Sequence, residues 1–299
     1  MQTPHNTQTL QNADLHTHTT ASNDHVQWHV HLPMKPLLTP VDAYTLAKRR
    51  GMDYVTFTDH DTIDGATELE RHYGKLPDDF FTSVEITSGL PGYEHEVHVN
   101  AFGINARQHK ESQRLRPDAR ELTAYLKSEG VLYAWNHPVW NESNRPLDMQ
   151  MLETLLPFFS VIEVRNGTRR KHLCDIAESL AERGHTARVA GSDSHSAEIG
   201  LTYTTAPAAC KEEYLASIRA GLSEPRGQYG TFPRFVRDVT LIGKENLLRM
   251  ARKEHRILRR VGLRALARST SVIVPPIVYL YHRGQDRSLA KVTIGTEAY

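Results

Sequence analysis

Short runs of β-branched and aromatic residues recur along this chain, and six of the seven lead into histidine or carboxylate side chains. Their period and flanking turn residues predict strands over 13–18, 54–58, 80–86, 97–102, 131–135, 161–164 and 187–191. The first supplies His16 and His18, with Asp24 six residues beyond. The second runs into Asp59, His60 and Asp61. Glu85 lies in the third, His98 in the fourth, His137 just past the fifth, and Asp193 and His195 past the seventh. Alternate residues of an extended strand share a side, so His16 faces with His18 and Asp193 with His195.

Helical patterns fill the gaps, at 41–50, 63–73, 114–129, 149–158, 172–183 and 211–221. Thr39-Pro40 offers a cap and a proline start, and Gly51, Gly130 and Gly184 sit where helices should stop. Alternating strand and helix predicts an α/β protein with a parallel sheet, either open and doubly wound or closed as a barrel. Residues 23–40, with Trp28, Pro33, Pro36 and Pro40, read as a long loop, and His25, His29 and His31 as loop residues rather than ligands. In a parallel barrel the C-terminal strand ends meet on one face. So many imidazoles and carboxylates cannot be packed together without protons or cations between them. Divalent metal resolves this best. The donors are too many for one ion, so two or three ions with a bridging Glu are expected.

The stretches "DLHTHTTAS", "TDHDT", "VHV", "NHP" and "GSDSH", with Glu85 between the second and third, resemble the polymerase and histidinol phosphatase (PHP) family of metal-dependent phosphoesterases in order and spacing. The resemblance covers about residues 13–206. It implies a distorted (β/α)7 barrel. It also implies that His16, His18, Glu85 and Asp193 hold one ion, that Glu85, His98 and His137 hold a second, and that Asp24, His60 and His195 hold a third. Asn23, five residues after His18, is a poor anionic ligand, which directs that role to Asp24. Such sites accept Mn, Zn or Fe. The expected activity is hydrolysis of a phosphomonoester of a small metabolite or nucleotide by metal-activated water, with Asp193 and His195 as candidate catalytic groups. A nuclease-like phosphodiesterase and a hydrolase of non-phosphate esters are the alternatives. The sixth strand end carries no ligand but is basic, and Arg165, Arg169, Arg170 and Lys171 are candidate phosphate donors. Glu163 and Asn166 beside them read as supports.

Charge separates the rest of the chain. Residues 244–270 hold nine Lys/Arg against two Asp/Glu, net +7, and 271–299 add +1. The total of +1 therefore leaves −7 on residues 1–243. Three parts are expected: an N-terminal extension (1–12), the metallophosphoesterase domain (13–235) and a basic amphipathic helical extension (236–299). Three roles are open for 244–270: packing on the acidic body, contact with an anionic membrane surface, or contact with nucleic acid. The apolar run "SVIVPPIVYLY" is interrupted by Pro275-Pro276, so no transmembrane segment is expected. The N-terminus lacks the basic and apolar regions of a secretory signal. Two distant cysteines, Cys174 and Cys210, fit a reducing compartment, and a cytoplasmic location is expected.

Overall fold

The computed structural model describes residues 9–23, 25–28, 30–33, 35–140 and 148–289. The chain opens with β1 (Leu10–Ala13), followed by an antiparallel hairpin of β2 (His25–Trp28) and β3 (Val30–Pro33). That hairpin replaces the expected long loop. Its signal is the alternation of Val26, Trp28, Val30 and Leu32, which Pro33, Pro36 and Pro40 at its end and beyond obscure. Helix α1 (Pro40–Arg49) starts as expected: Thr39 Oγ1 accepts the Asp42 amide hydrogen at 3.2 Å. Helix α2 spans Asp64–Tyr73.

Strands β4 (Ser83–Ser88) and β5 (Val97–Phe102) follow. The helix expected over 114–129 is two helices, α3 (Ala106–Leu115) and α4 (Ala119–Ser128). Pro117 has no amide hydrogen to continue the α3 ladder, and Asp118, in extended backbone, restarts the chain by accepting the Arg120 amide hydrogen at 2.9 Å. Then come β6 (Leu132–Trp135), α5 (Met149–Leu155), β7 (Val161–Asn166), α6 (Lys171–Gly184), β8 (Ala187–Gly191), β9 (Thr202–Pro207), α7 (Lys211–Arg219) and β10 (Glu224–Gly227).

The main sheet runs β4-β5-β6-β7-β8. It is mixed rather than all parallel: β4/β5 and β5/β6 are antiparallel, and β6/β7/β8 are parallel. No ladder closes it into a barrel among the described residues. Instead, two of the expected strands are extended segments joined by isolated bridges, Thr17 to Ser194, Val55 to Phe80 and His60 to Glu85. They lie between β8 and β4 without forming ladders of their own. A second sheet, β1-β9-β10, is antiparallel. Leu122, Leu126, Leu152, Leu155, Leu173 and Leu180 from α4, α5 and α6 pack on the main sheet. Ala43, Ala47 and Leu69 of α1 and α2 pack on Phe57 and Phe80.

A helical hairpin ends the described chain: α8 (Phe232–Lys253) and α9 (Ile257–Leu289). Asn246 Nδ2 donates to the Lys35 carbonyl at 2.9 Å, Arg249 Nη1 to the Pro36 carbonyl at 3.1 Å, and Arg234 and Arg237 both pair with Glu198. Helix α9 continues through Pro275 and Pro276, correcting the expected break. The amide hydrogens missing there would have bonded the Ser271 and Val272 carbonyls; both residues are on the exposed side of the helix, where their carbonyls need no partner from the protein. The uninterrupted helix is long and apolar enough to cross a membrane by length and composition, which the sequence reading had excluded.

Candidate metal centre

The segment after β1 is pinned from below. Asp14, buried, accepts amide hydrogens from Ser192 at 2.8 Å, Gly200 at 2.7 Å and His16 at 3.2 Å. Burial nevertheless pushes its carboxyl up to about 6, against the pull of those hydrogen bonds. Thr17 faces the other way, donating from Oγ1 to the Thr56 carbonyl at 2.8 Å. His16 and His18 are thereby turned together toward the sheet. The backbone crosses β8 so closely that a Cβ on Gly191 would lie 2.3 Å from His16 Cβ.

Glu85, fully buried on β4, is the hub. Its Oε2 lies 3.1 Å from His16 Nε2, 3.3 Å from His18 Nε2 and 3.4 Å from His60 Nδ1. Its Oε1 lies 3.1 Å from His98 Nδ1 and 3.3 Å from His137 Nε2, and accepts from Asn136 Nδ2 at 2.8 Å. Asp193 Oδ1 lies 3.4 Å from His18 Nε2, 3.6 Å from His16 Nε2 and 3.8 Å from His195 Nδ1. The His18 ring centroid is 4.6 Å from that of His60 and 4.2 Å from that of His195. Four overlapping triads result: His16/His18/Asp193, His16/Glu85/His137, His60/Glu85/His98 and His18/His60/His195. Within each, the ligand atoms lie within 4.8 Å of one another. The donor set suits divalent metal, being imidazole and carboxylate throughout. His137 (φ +26°) and Asp193 (φ +51°) hold left-handed backbone that costs each about 1 kcal/mol or more, the kind of strain that collects at functional sites.

A second layer orients the first. His16 Nδ1 lies 2.9 Å from Glu163 Oε1; with the proton on Nδ1, the Nε2 lone pair points at the cluster. Glu163 Oε2 also accepts from the His137 amide at 3.0 Å and Asn166 Nδ2 at 2.9 Å. Asp193 Oδ2 accepts from Thr168 Oγ1 at 2.9 Å and Arg169 Nη2 at 3.3 Å. The Arg169 guanidinium lies 4.7 Å over the Trp140 ring, which packs edge-on against His98 and His137. Trp140 Nε1 donates to Tyr281 Oη on α9 at 2.6 Å, so the helical hairpin touches the wall of the cluster.

The electrostatics follow from this crowding. Burial alone would lower the His16 imidazolium, but Glu85, Glu163 and Asp193 outweigh it and hold it well above the ordinary histidine value. Burial would raise Glu85, yet His16, His60 and His98 pull it well below the usual carboxylate range. Asp193 is depressed in the same way by His16, His18 and Arg169. His137 goes down, because burial outweighs its hydrogen bond to Glu85. Side-chain exposure is 18% at His60 and 25% at His195 but 0–1% at His16, His18 and Glu85, so the cluster opens on the His60/His195 side.

No family model and no curated protein matches this sequence. Solved structures do match. A two-domain protein from Bacteroides vulgatus containing a predicted PHP-like metal-dependent phosphoesterase has TM-score 0.54 at 19% identity, over 76% of this chain and 68% of its own. The chain has a PHP-like fold. PsfC from Pseudomonas syringae matches at TM-score 0.55 and 16% identity, over 79% of this chain and 98% of its own. The lesion-specific endonuclease PfuEndoQ from Pyrococcus furiosus matches at TM-score 0.51 and 16% identity, over 73% of this chain and 58% of its own.

On this PHP-like fold, eight residues singled out as ligands converge: His16, His18, His60, Glu85, His98, His137, Asp193 and His195. Asp24 and His29 lie outside the described residues, as do the side chains of His25 and His31. Of the four basic candidates, Arg169 alone reaches the cluster. Arg165 donates to the Gly227 carbonyl and stacks over Tyr229; Arg170 forms a bidentate pair with Asp286 on α9; exposed Lys171 pairs with Asp175. The sequence reading passed over Asp14, Asn136, Trp140 and Thr168. The first two open the motifs "DLHTHTTAS" and "NHP", while only tertiary contact reveals Trp140 and Thr168.

Proposed function

We propose that this chain is a metal-dependent phosphoesterase, holding two or three divalent ions in the buried cluster and hydrolysing a phosphomonoester of a small metabolite or nucleotide. One observation carries the reading: both oxygens of a single buried glutamate are shared among five imidazoles, each within 3.4 Å. A carboxylate needs one or two donors; five imidazoles around it call for cations. His16, His18, Glu85 and Asp193 would hold one ion, and Glu85, His98 and His137 would hold a second. His60 and His195 would hold a third, with Asp24 the sequence's candidate to join them. When bound, such ions supply a hydroxide near neutral pH and neutralise phosphoryl oxygens.

The remaining work falls to the chain itself. Glu163 keeps the His16 proton on Nδ1, leaving Nε2 as a ligand. Arg169 already leans on the Asp193 carboxylate and is the guanidinium best situated for a substrate phosphate. With only two ions bound, His195, at the open edge, is the group best situated to give a proton to the leaving oxygen; with a third ion bound, it serves as a ligand instead. Trp140 shields His98 and His137 from water on one flank.

A second reading, cleavage of a polynucleotide phosphodiester, draws on the similarity to PfuEndoQ. One experiment separates them: phosphate release by Mn- or Zn-loaded protein across sugar phosphates and nucleotides, beside cleavage of oligonucleotides. Release from a monoester, lost in His137→Ala, supports the first reading. Cleavage of oligonucleotides alone replaces it with the second. No hydrolysis of either by protein confirmed to hold metal overturns both.

A further inference from the structure

Of the fourteen large apolar side chains exposed among the described residues, eight lie on α9. Leu258 is 88% exposed, Val272 75% and Leu280 65%. They do not belong to the face that packs inward. That face presents Ala267, Thr270, Val274, Val278 and His282. Val272 and Leu280 each stand two residues from a buried valine, Val274 and Val278, which is about 200° around the helix. Helix α9 is therefore buried along one side and apolar along the opposite, solvent-facing side.

The same surface is strongly positive. No Asp or Glu occurs between Glu254 and Asp286. Arg256, just before α9, and Arg259, Arg264 and Arg268, in its first half, are exposed ahead of the apolar stretch, and Arg283 follows it. Residues 269–282 are the uncharged span between Arg268 and Arg283, fourteen residues or about 21 Å of helix, against a hydrocarbon core of about 30 Å. The helix is also anchored sideways to the body through Tyr281 to Trp140 and Asp286 to Arg170. Both facts favour lying along an interface over crossing it.

We propose that the outer face of α9 docks this protein on anionic lipid surfaces, with Leu258, Val272 and Leu280 entering the headgroup boundary and the arginines beside them meeting lipid phosphates. The charge selects this occupant. A second copy would bring a like-charged stripe against this one. Nucleic acid would match the arginines but offers no apolar medium for Val272 and Leu280. An anionic bilayer surface accepts both kinds of side chain at once.

The test is flotation of the full-length protein with phosphatidylcholine vesicles, with and without phosphatidylglycerol. Binding is expected only when the anionic lipid is present, weakening as salt rises. Val272→Asp combined with Leu280→Asp should weaken it about tenfold or more, as should Arg259→Glu combined with Arg264→Glu. None of the four residues belongs to the metal cluster, and unchanged circular dichroism with unchanged metal content excludes misfolding. Absence of vesicle binding, or binding indifferent to both double substitutions, overturns the proposal. So does a dimer in solution that Leu280→Asp dissociates while vesicles are ignored, preferential binding to duplex DNA, or membrane association that resists alkaline carbonate extraction. None of these readouts requires hydrolysis, so the phosphoesterase reading stands or falls separately.

Discussion

The histidine–carboxylate cluster and the C-terminal hairpin dispose of charge and apolar surface in opposite ways. In the cluster, Glu85 and five imidazoles are drawn inside, where every charge needs a partner within hydrogen-bond reach. On α9, arginines and large apolar side chains alike face solvent. The first arrangement is held by chemistry within one chain, and its parts are interdependent. The second leaves apolar surface exposed that the described chain does not cover. The comparison teaches that removing one atom should be ruinous in the cluster and nearly silent on the hairpin, so far as hydrolysis is concerned.

The sharpest way to break that contrast is Glu85→Gln. The amide keeps the shape but offers one acceptor where two are used, so both shared ligand positions suffer. Metal content should fall, and hydrolysis should drop by about a thousandfold or more, while Val272→Asp leaves the rate within about twofold. Metal analysis beside a phosphate-release assay decides it. Full metal content and full rate in Glu85→Gln would remove Glu85 from the centre.

The next largest effect belongs to a residue behind the ligands. In Glu163→Gln, one position now accepting from both the His137 amide and Asn166 Nδ2 would become an NH2 group facing donors. Metal affinity should weaken by about 10–100-fold, with the protein still folded. A metal titration monitored by calorimetry reads this directly. An unchanged affinity would mean that Glu163 serves the backbone turn and not the ligand.

How far each region was legible from sequence follows from the same contrast. The ligands were legible because metal chemistry restricts residue type and strand ends restrict spacing: "HTH" and "DSH" put two donors on one side. The sheet was less so. Alternation of strand and helix predicted parallel pairing, but β4, β5 and β6 pair antiparallel, with α3 and α4 inserted between β5 and β6. The segments 13–18 and 54–58 carry strand composition, and they are extended and bonded to their neighbours through backbone groups, but only as isolated bridges, with the Asp14, Thr56 and Thr58 side chains taking up further hydrogen bonds where a ladder would continue. β9 and β10 are absent from the expected strands: the threonines and Tyr203 of "TYTTAP" do favour strand, whereas "EPRG" has no strand signal and is held by its antiparallel pairing to β9. In α9, the rule that proline breaks a helix failed because the carbonyls it orphans lie on the exposed side of the helix.

Acidity should also act on the cluster and spare the hairpin. In metal-free protein the carboxylates hold His16 protonated well above the ordinary histidine range. Because the folded value is raised, this proton stabilises the metal-free fold below the unfolded histidine pKa, and that contribution is lost as pH rises through the folded value. Metal must displace the same proton, so affinity should fall as pH falls, by about tenfold per pH unit for each proton released, between about pH 8 and about pH 6. Titrations in buffers of different ionisation enthalpy count the protons. An affinity flat across that window would contradict a protonated His16.

The smallest expected effect lies where the two regions meet. Tyr281→Phe removes the acceptor for Trp140 Nε1 and leaves the ring packing on His98 and His137 in place. Gln285 Nε2 donates to the same oxygen at 2.9 Å, so two hydrogen bonds are lost, each worth about 1 kcal/mol of stability. Metal affinity should not change, because Trp140 donates nothing to the ligand atoms, and hydrolysis should fall by less than about tenfold through looser seating of Arg169 over the indole. If Tyr281→Phe instead weakens metal binding as much as Glu163→Gln, the hairpin is part of the centre's scaffold. The division between a self-sufficient cluster and a surface-facing appendage would then have to be redrawn along α9, with its inner face counted among the supports of the ligands and its outer face alone left for docking.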